Sequence, residues 1–240
     1  WADIIIFSFD KTFYNHVLEL GVFAIPFTIF AIVGAINALN MSDGVDGLAG
    51  SISATILIAL CYVAYLGGAI PEVMLISVTI MVVIAYLLFN FPIPGRSHAK
   101  IFMGDGGSMT LGFIIAWFSI ALSQGDDAVI SPVTVLWIIG LPVIDTISVM
   151  TRRVIRGRSP FAPDREHFHH ILLVAGFSRA KTVMTMVAIN ALLAVVGITA
   201  DQIGIAEYVM FYIYMALLLL YFWGMMHAWR VMQMVKRLSS

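Results

Sequence analysis

Seven stretches of this chain each run for about the length of a membrane-crossing helix without a charged residue. They are Leu20 to Ser42, Gly47 to Pro71, Val73 to Gly95, Gly106 to Gly125, Ala128 to Ile144, Thr182 to Ala200 and Tyr208 to Met226. A spanning helix needs ~20 apolar residues. The runs are continuous rather than alternating, which excludes the strands of a closed barrel. The chain therefore reads as an all-α, polytopic integral membrane protein with about seven transmembrane helices in one domain over residues 1–240. Its 61% hydrophobic and 11% charged residues exclude a soluble globular domain, in which roughly a quarter of residues are charged. The single cysteine, Cys61, lies inside an apolar run, so neither a disulfide framework nor a thiolate metal site is expected.

Charge is distributed by side. Arg96, Lys100, Arg152, Arg153, Arg156, Arg158, Arg165, Arg179, Lys181, Arg230, Lys236 and Arg237 fall on one face, and only Lys11 on the other. By the positive-inside rule the first face is cytoplasmic. The opposite face carries Asp3, Asp10, Glu19, Glu72, Asp126, Asp127, Asp201 and Glu207. Residues 1–19 are too mixed to span and read as a periplasmic, interfacial lead-in. The chain opens on Trp1, and an N-terminal truncation is expected. With a net charge of −1, no nucleic-acid partner is implied.

The unusual segments all fall on the cytoplasmic side, in or beside loops 91–106 and 150–181 and between the first two spans. Lys100-Ile101-Phe102-Met103-Gly104-Asp105-Gly106-Gly107-Ser108 is charged and glycine-rich between two apolar runs. Glycines let the backbone approach a ligand. A helix starting near Gly107 and Ser108 would turn free N–H groups toward a phosphate, with Asp105 holding a divalent cation. Read alone, the same stretch is also a plain loop with an aspartate N-cap.

Asn37-Ala38-Leu39-Asn40-Met41-Ser42-Asp43-Gly44-Val45-Asp46-Gly47-Leu48 places Asn37 and Asn40 on one helix face and two Asp-Gly turns after them. Asp46 is in position to cap the second helix. The acids and amides also form an oxygen cluster suited to magnesium rather than zinc. The third segment, from Arg152 to His170, contains a stiff Pro160–Pro163 arm and then His167, His169 and His170. Its histidines suit phosphate binding, loop ordering or proton transfer; its arginines suit the same anions or lipid head groups. Asp145, after Pro142 in the fifth run, is an ionisable group within a span, and Arg152 and Arg153 follow one to two turns later. Pro142 is expected to kink that helix, and Ser131-Pro132 to start it.

Taken in order and spacing, these three segments resemble the polyprenyl-phosphate N-acetylhexosamine-1-phosphate transferase family, glycosyltransferase family 4. The Ser-Pro-Phe and His-x-His-His arm is most similar to the bacterial enzymes that start O-antigen, enterobacterial common antigen or teichoic acid linkage units. The resemblance implies transfer of N-acetylglucosamine 1-phosphate from its UDP form to undecaprenyl phosphate, with release of UMP, at the cytoplasmic face of the bacterial inner membrane. It implies magnesium, with manganese as the alternative ion, held by Asp105 and Asn40. Asp43, Asp46, Asp105, His167, His169 and His170 would be the catalytic group. Asn37, Asn40, Asp46, Gly106, Gly107, Arg153 and Arg165 would contact substrate, and a homodimer is compatible with the family. One feature departs from the pattern: the family's Asp-Asp pair on an earlier cytoplasmic loop is absent, since Asp126-Asp127 lies on the opposite face. A non-catalytic scaffold for anionic lipids and a transporter using Asp145 are the rival classes.

Overall fold

The computed structural model describes residues 4–13, 16–92, 99–160 and 167–238, with side chains as far as 227. The described chain is helical. Its elements are α1 (Ala24–Met41), preceded by a 3-10 turn Gly21–Phe23, then α2 (Leu48–Leu66), α3 (Ile70–Asn90), α4 (Gly104–Ser123), α5 (Pro132–Ile138), α6 (Gly140–Ile155), α7 (Phe168–Val174), α8 (Arg179–Gln202) and α9 (Glu207–Leu238). Six helices among the described residues are long and apolar enough to cross a membrane, and α5 with α6 makes a seventh if the bent pair counts as one span. The protein is a multi-pass membrane protein.

The fifth apolar run is bent, as Pro142 leads one to expect, but by a sharp break between two helices rather than a kink within one. α5 and α6 meet at 83°, and the break falls at Ile139–Gly140, ahead of Pro142. Pro142 thus sits in the first turn of α6, where a missing N–H costs little. Backbone groups freed by a break inside apolar surroundings need partners. Asn190 of α8, fully buried, supplies them: its Oδ1 accepts from the Leu141 N–H at 3.1 Å and its Nδ2 donates to the Ile138 carbonyl at 3.3 Å. Tyr214 of α9 donates to the Gly140 carbonyl at 3.3 Å. Upstream, Ser131 caps α5 as the sequence predicts, accepting from the Thr134 N–H.

α2 is the central helix, packed against α3, α4 and α8. Its Ala49, Gly50, Ser53, Ala54, Ala59 and Ala64 are buried, and small residues of this kind let apolar helices approach closely where no aqueous hydrophobic force drives them together. α1 lies against α4. They come close at Gly112, where a Cβ would stand 2.7 Å from the Ile36 Cα. At the acidic end the lead-in forms a short antiparallel turn, with a bridge between Ser8 and Glu19, fastened where Gln124 Oε1 accepts the Phe7 N–H at 2.9 Å.

Candidate active site

α1 and α4 run antiparallel, so the turn after Ile36 on one faces the turn before Gly112 on the other. Those turns carry Asn40 and Ser108. The buried Ser108 hydroxyl donates to Asn40 Oδ1 at 2.7 Å, and the first two sequence motifs meet there. α4 starts at Gly104, with φ +66°, three residues earlier than expected. Asp105 consequently lies inside the first turn, and the N-cap is Met103 with no side-chain cap. Neither the loop reading nor the aspartate-cap reading of this stretch holds. A carboxylate in the first turn is favoured by the positive end of the helix dipole. Asp105 and Gly106 are exposed, and a Cβ at Gly106 would meet nothing within 4 Å, whereas at Gly107 it would meet the flexible Met103 side chain.

The α1–α2 loop closes over the same end. Asp46 does not cap α2: the N-cap is Gly47, at φ +83° and without a side-chain cap. The Asp46 carboxylate instead accepts from Arg179 Nη1 at 3.0 Å, with the arginine side chain 47% and the aspartate 15% exposed. Asp43 is half-buried, and burial first, then Asp105, then Asp46, push its carboxyl up to about 6. Three carboxylates thus share one electrostatic neighbourhood. Asn37 bonds back to the Val33 carbonyl of its own helix at 2.7 Å, one turn away from the Asn40–Ser108 contact.

Asn90 ties this loop to the second motif. It is buried at the end of α3; its Oδ1 accepts the Gly47 N–H at 2.6 Å and its Nδ2 donates to the Ile101 carbonyl at 2.7 Å. Gly47 is required twice over. Its left-handed φ suits glycine, and a Cβ would stand 2.9 Å from Pro92 Cδ.

The histidines approach from the other side. His167 precedes α7, and His169 and His170 lie in its first turn. His169 is fully buried, with neither ring nitrogen hydrogen-bonded among the described residues. Burial first, then His170 and His167, hold its pKa down to about 3, so it is neutral. Its ring lies parallel to that of His167, 5.6 Å between centroids, and its Nε2 is 2.5 Å from where a Gly44 Cβ would stand. The third motif therefore touches the first beside Asp43. Arg153 is buried and donates to the Pro160 carbonyl at 2.6 Å, holding the start of the arm. Arg165 and most of the Pro160–Pro163 arm lie outside the described residues.

The family model described as glycosyl transferase family 4 matches residues 1–123 of the 240. The chain belongs to glycosyl transferase family 4. A relative from Yersinia pestis named undecaprenyl-phosphate alpha-N-acetylglucosaminyl 1-phosphate transferase is 38% identical over 237 residues, which cover 98% of this chain and 65% of the relative. Proteins of the same name are 36% identical in Escherichia coli O157:H7, over 100% of this chain and 65% of theirs, and 37% identical in Haemophilus influenzae, over 92% and 62%. The chain spans just under two thirds of the length of these relatives. The resemblance carried by the three motifs holds over nearly the whole sequence.

In this family 4 chain the structure adds site neighbours that none of the three motifs contains. Arg179 follows the Ser178 N-cap of α8 and had only its charge to mark it. Asn90 was hidden at the end of an apolar run, where an amide just before Phe-Pro was the available signal. Tyr221, on α9, reaches Asp145 from 76 residues away, and no spacing rule anticipates that.

Proposed function

We propose that the protein transfers N-acetylglucosamine 1-phosphate from UDP-N-acetylglucosamine to undecaprenyl phosphate, as the first membrane step of a cell-surface polysaccharide. A phosphate oxygen of the lipid attacks the sugar-bearing phosphorus; that P–O bond forms as the bond to the bridging oxygen of UMP breaks, and UMP leaves. The nucleophile is already an anion, so positioning and charge neutralisation contribute more than a general base. The convergence of Asp43, Asp46 and Asp105, with Arg179 beside them, carries this reading.

The donor set fits magnesium. No three His, Cys, Asp or Glu side chains among the described residues converge tightly enough to hold an ion unaided, and magnesium does not require that, since it keeps waters and binds through one or two carboxylates and substrate phosphates. Asp105 and Asn40 Oδ1 would hold it; that oxygen accepts from Ser108 and retains a second lone pair. When bound, the ion neutralises charge on the donor phosphates. Asp43 and Asp46 orient the nucleoside side of the donor, and Arg179 keeps Asp46 in place. The 12 basic residues on this side support a cytoplasmic site in the bacterial inner membrane, where a lipid substrate and a soluble one meet.

Full-length protein in nanodiscs with undecaprenyl phosphate, magnesium and radiolabelled UDP-N-acetylglucosamine tests the proposal. Label should enter a lipid-soluble product with release of UMP, and both should collapse in Asp105→Asn or with chelator. Absence of lipid product from every UDP-N-acetylhexosamine tried would overturn it.

A further inference from the structure

Asp145 is 5% exposed on α6 and has three partners from two other elements. Oδ2 lies 2.8 Å from His167 Nδ1. Oδ1 accepts the Phe168 N–H at 3.2 Å and the Tyr221 hydroxyl at 2.7 Å. The backbone N–H can only donate, so Oδ1 is an acceptor, and the three contacts suit an ionised acid accepting at both oxygens. With Asp145 as the acceptor, Nδ1 of His167 is the donor, and in the singly protonated ring the lone pair then sits on Nε2. His167 stacks on His169, and His169 abuts Gly44, next to Asp43. One buried carboxylate therefore stands behind a line of rings that ends at the acidic loop.

We propose that Asp145 is a positioning residue of the transfer site: it fixes the tautomer and ring orientation of His167 and seats the histidine arm against the loop that carries Asp43. It touches neither substrate nor metal, and its effect on the reaction passes through His167. The kinetic part rests on the transferase reading; the tautomer does not. Asp145→Asn keeps the shape and can still accept from Tyr221 or Phe168, but it turns an N–H toward His167 Nδ1 and forces the other tautomer. A buried aspartate that orients a histidine is worth about 10⁴-fold in kcat in the serine-protease triad.

The test uses full-length protein in nanodiscs, with 15N-histidine spectra beside kinetics. An Nδ1–H signal assigned to His167 by its loss in His167→Phe is expected in the wild type, moving to Nε2–H in Asp145→Asn. Transfer by Asp145→Asn should fall by about 10²-fold or more in kcat, with KM for the sugar nucleotide within about twofold. Tyr221→Phe leaves the Asp145–His167 pair and should cost less than about tenfold. Protonation of His167 at Nε2 alone in the wild type would overturn the proposal whether or not Asp145→Asn folds. So would a wild-type kcat in Asp145→Asn, or a loss lying wholly in KM. A wild type with no transferase activity would instead sink the transferase reading, leaving the spectrum to decide the pairing.

Discussion

Ser108 and Asn40, 68 residues apart, share a 2.7 Å hydrogen bond between side chains, one helical turn from the point where Gly112 meets the backbone of Ile36. The bond joins the two motifs that carry Asp43 and Asp105. It forms because a residue without a side chain, a turn farther along α4, lets α1 come close. Site geometry and membrane packing are one problem at this junction.

Gly112→Ala should separate the two. A Cβ there meets backbone rather than a flexible side-chain tip, so the helices must part, at a cost of about 1–3 kcal/mol for overpacking. Thermal unfolding in detergent should register the loss, and transfer should drop with it. Gly106→Ala, where a Cβ finds open space, should leave the unfolding temperature unchanged while weakening substrate binding. Equal destabilisation by both would refute the distinction.

Asn90 predicts a purely structural penalty. Asn90→Ala strands the buried Gly47 N–H and removes the donor to the Ile101 carbonyl, each loss costing about 1–3 kcal/mol. Asn90→Asp keeps an acceptor for Gly47 but not the donor, and should fall between alanine and wild type in denaturant titration.

Asp43 sets an acid limit on activity. Its carboxyl titrates near 6, so kcat/KM should decline as pH falls through about 6 and the carboxylate takes up a proton. Raising the magnesium concentration should move this limb toward lower pH, because a cation among the three acids opposes the repulsion that lifts the carboxyl. A limb that ignores magnesium would count against the shared electrostatic site.

His169 predicts acid lability of the fold. Its pKa is about 3 in the folded chain, against an ordinary 6.5, so between these values the unfolded chain binds the extra proton. Stability is then fully present above about pH 6.5 and is lost as pH falls toward about 3, at up to ~1.4 kcal/mol per pH unit. Asp43 opposes this: its raised pKa makes the folded chain bind the extra proton between 3.8 and about 6, which favours folding on acidification. The comparison should therefore be made in Asp43→Asn, where His169→Phe, which keeps the ring and removes the titration, should flatten the slope.

The helical class, the near count of spans, the sidedness of charge and the three motifs were all legible in the order of residues, because each depends on local properties: run length, charge, and Gly or Asp at turns. α4 starts three residues before the Gly107 that the sequence suggests, since Gly104 can take the left-handed φ that lets the helix begin before Asp105. A kink at Pro142 is legible, but the full break into two helices is not, because the residues that mend it, Asn190 and Tyr214, lie 49 and 74 positions from the groups they bond. Asp46 looked like a helix cap until Arg179, 133 residues away, took its carboxylate. By itself the sequence determined that this is a polytopic membrane protein with acids, glycines and histidines grouped on one side. Only the tertiary structure decided that Asn40 meets Ser108, that Asn90 clamps Gly47 and that Asp145 stands behind His167, because a hydrogen bond between distant segments depends on helix approach distances that small residues such as Gly112 set far along the chain.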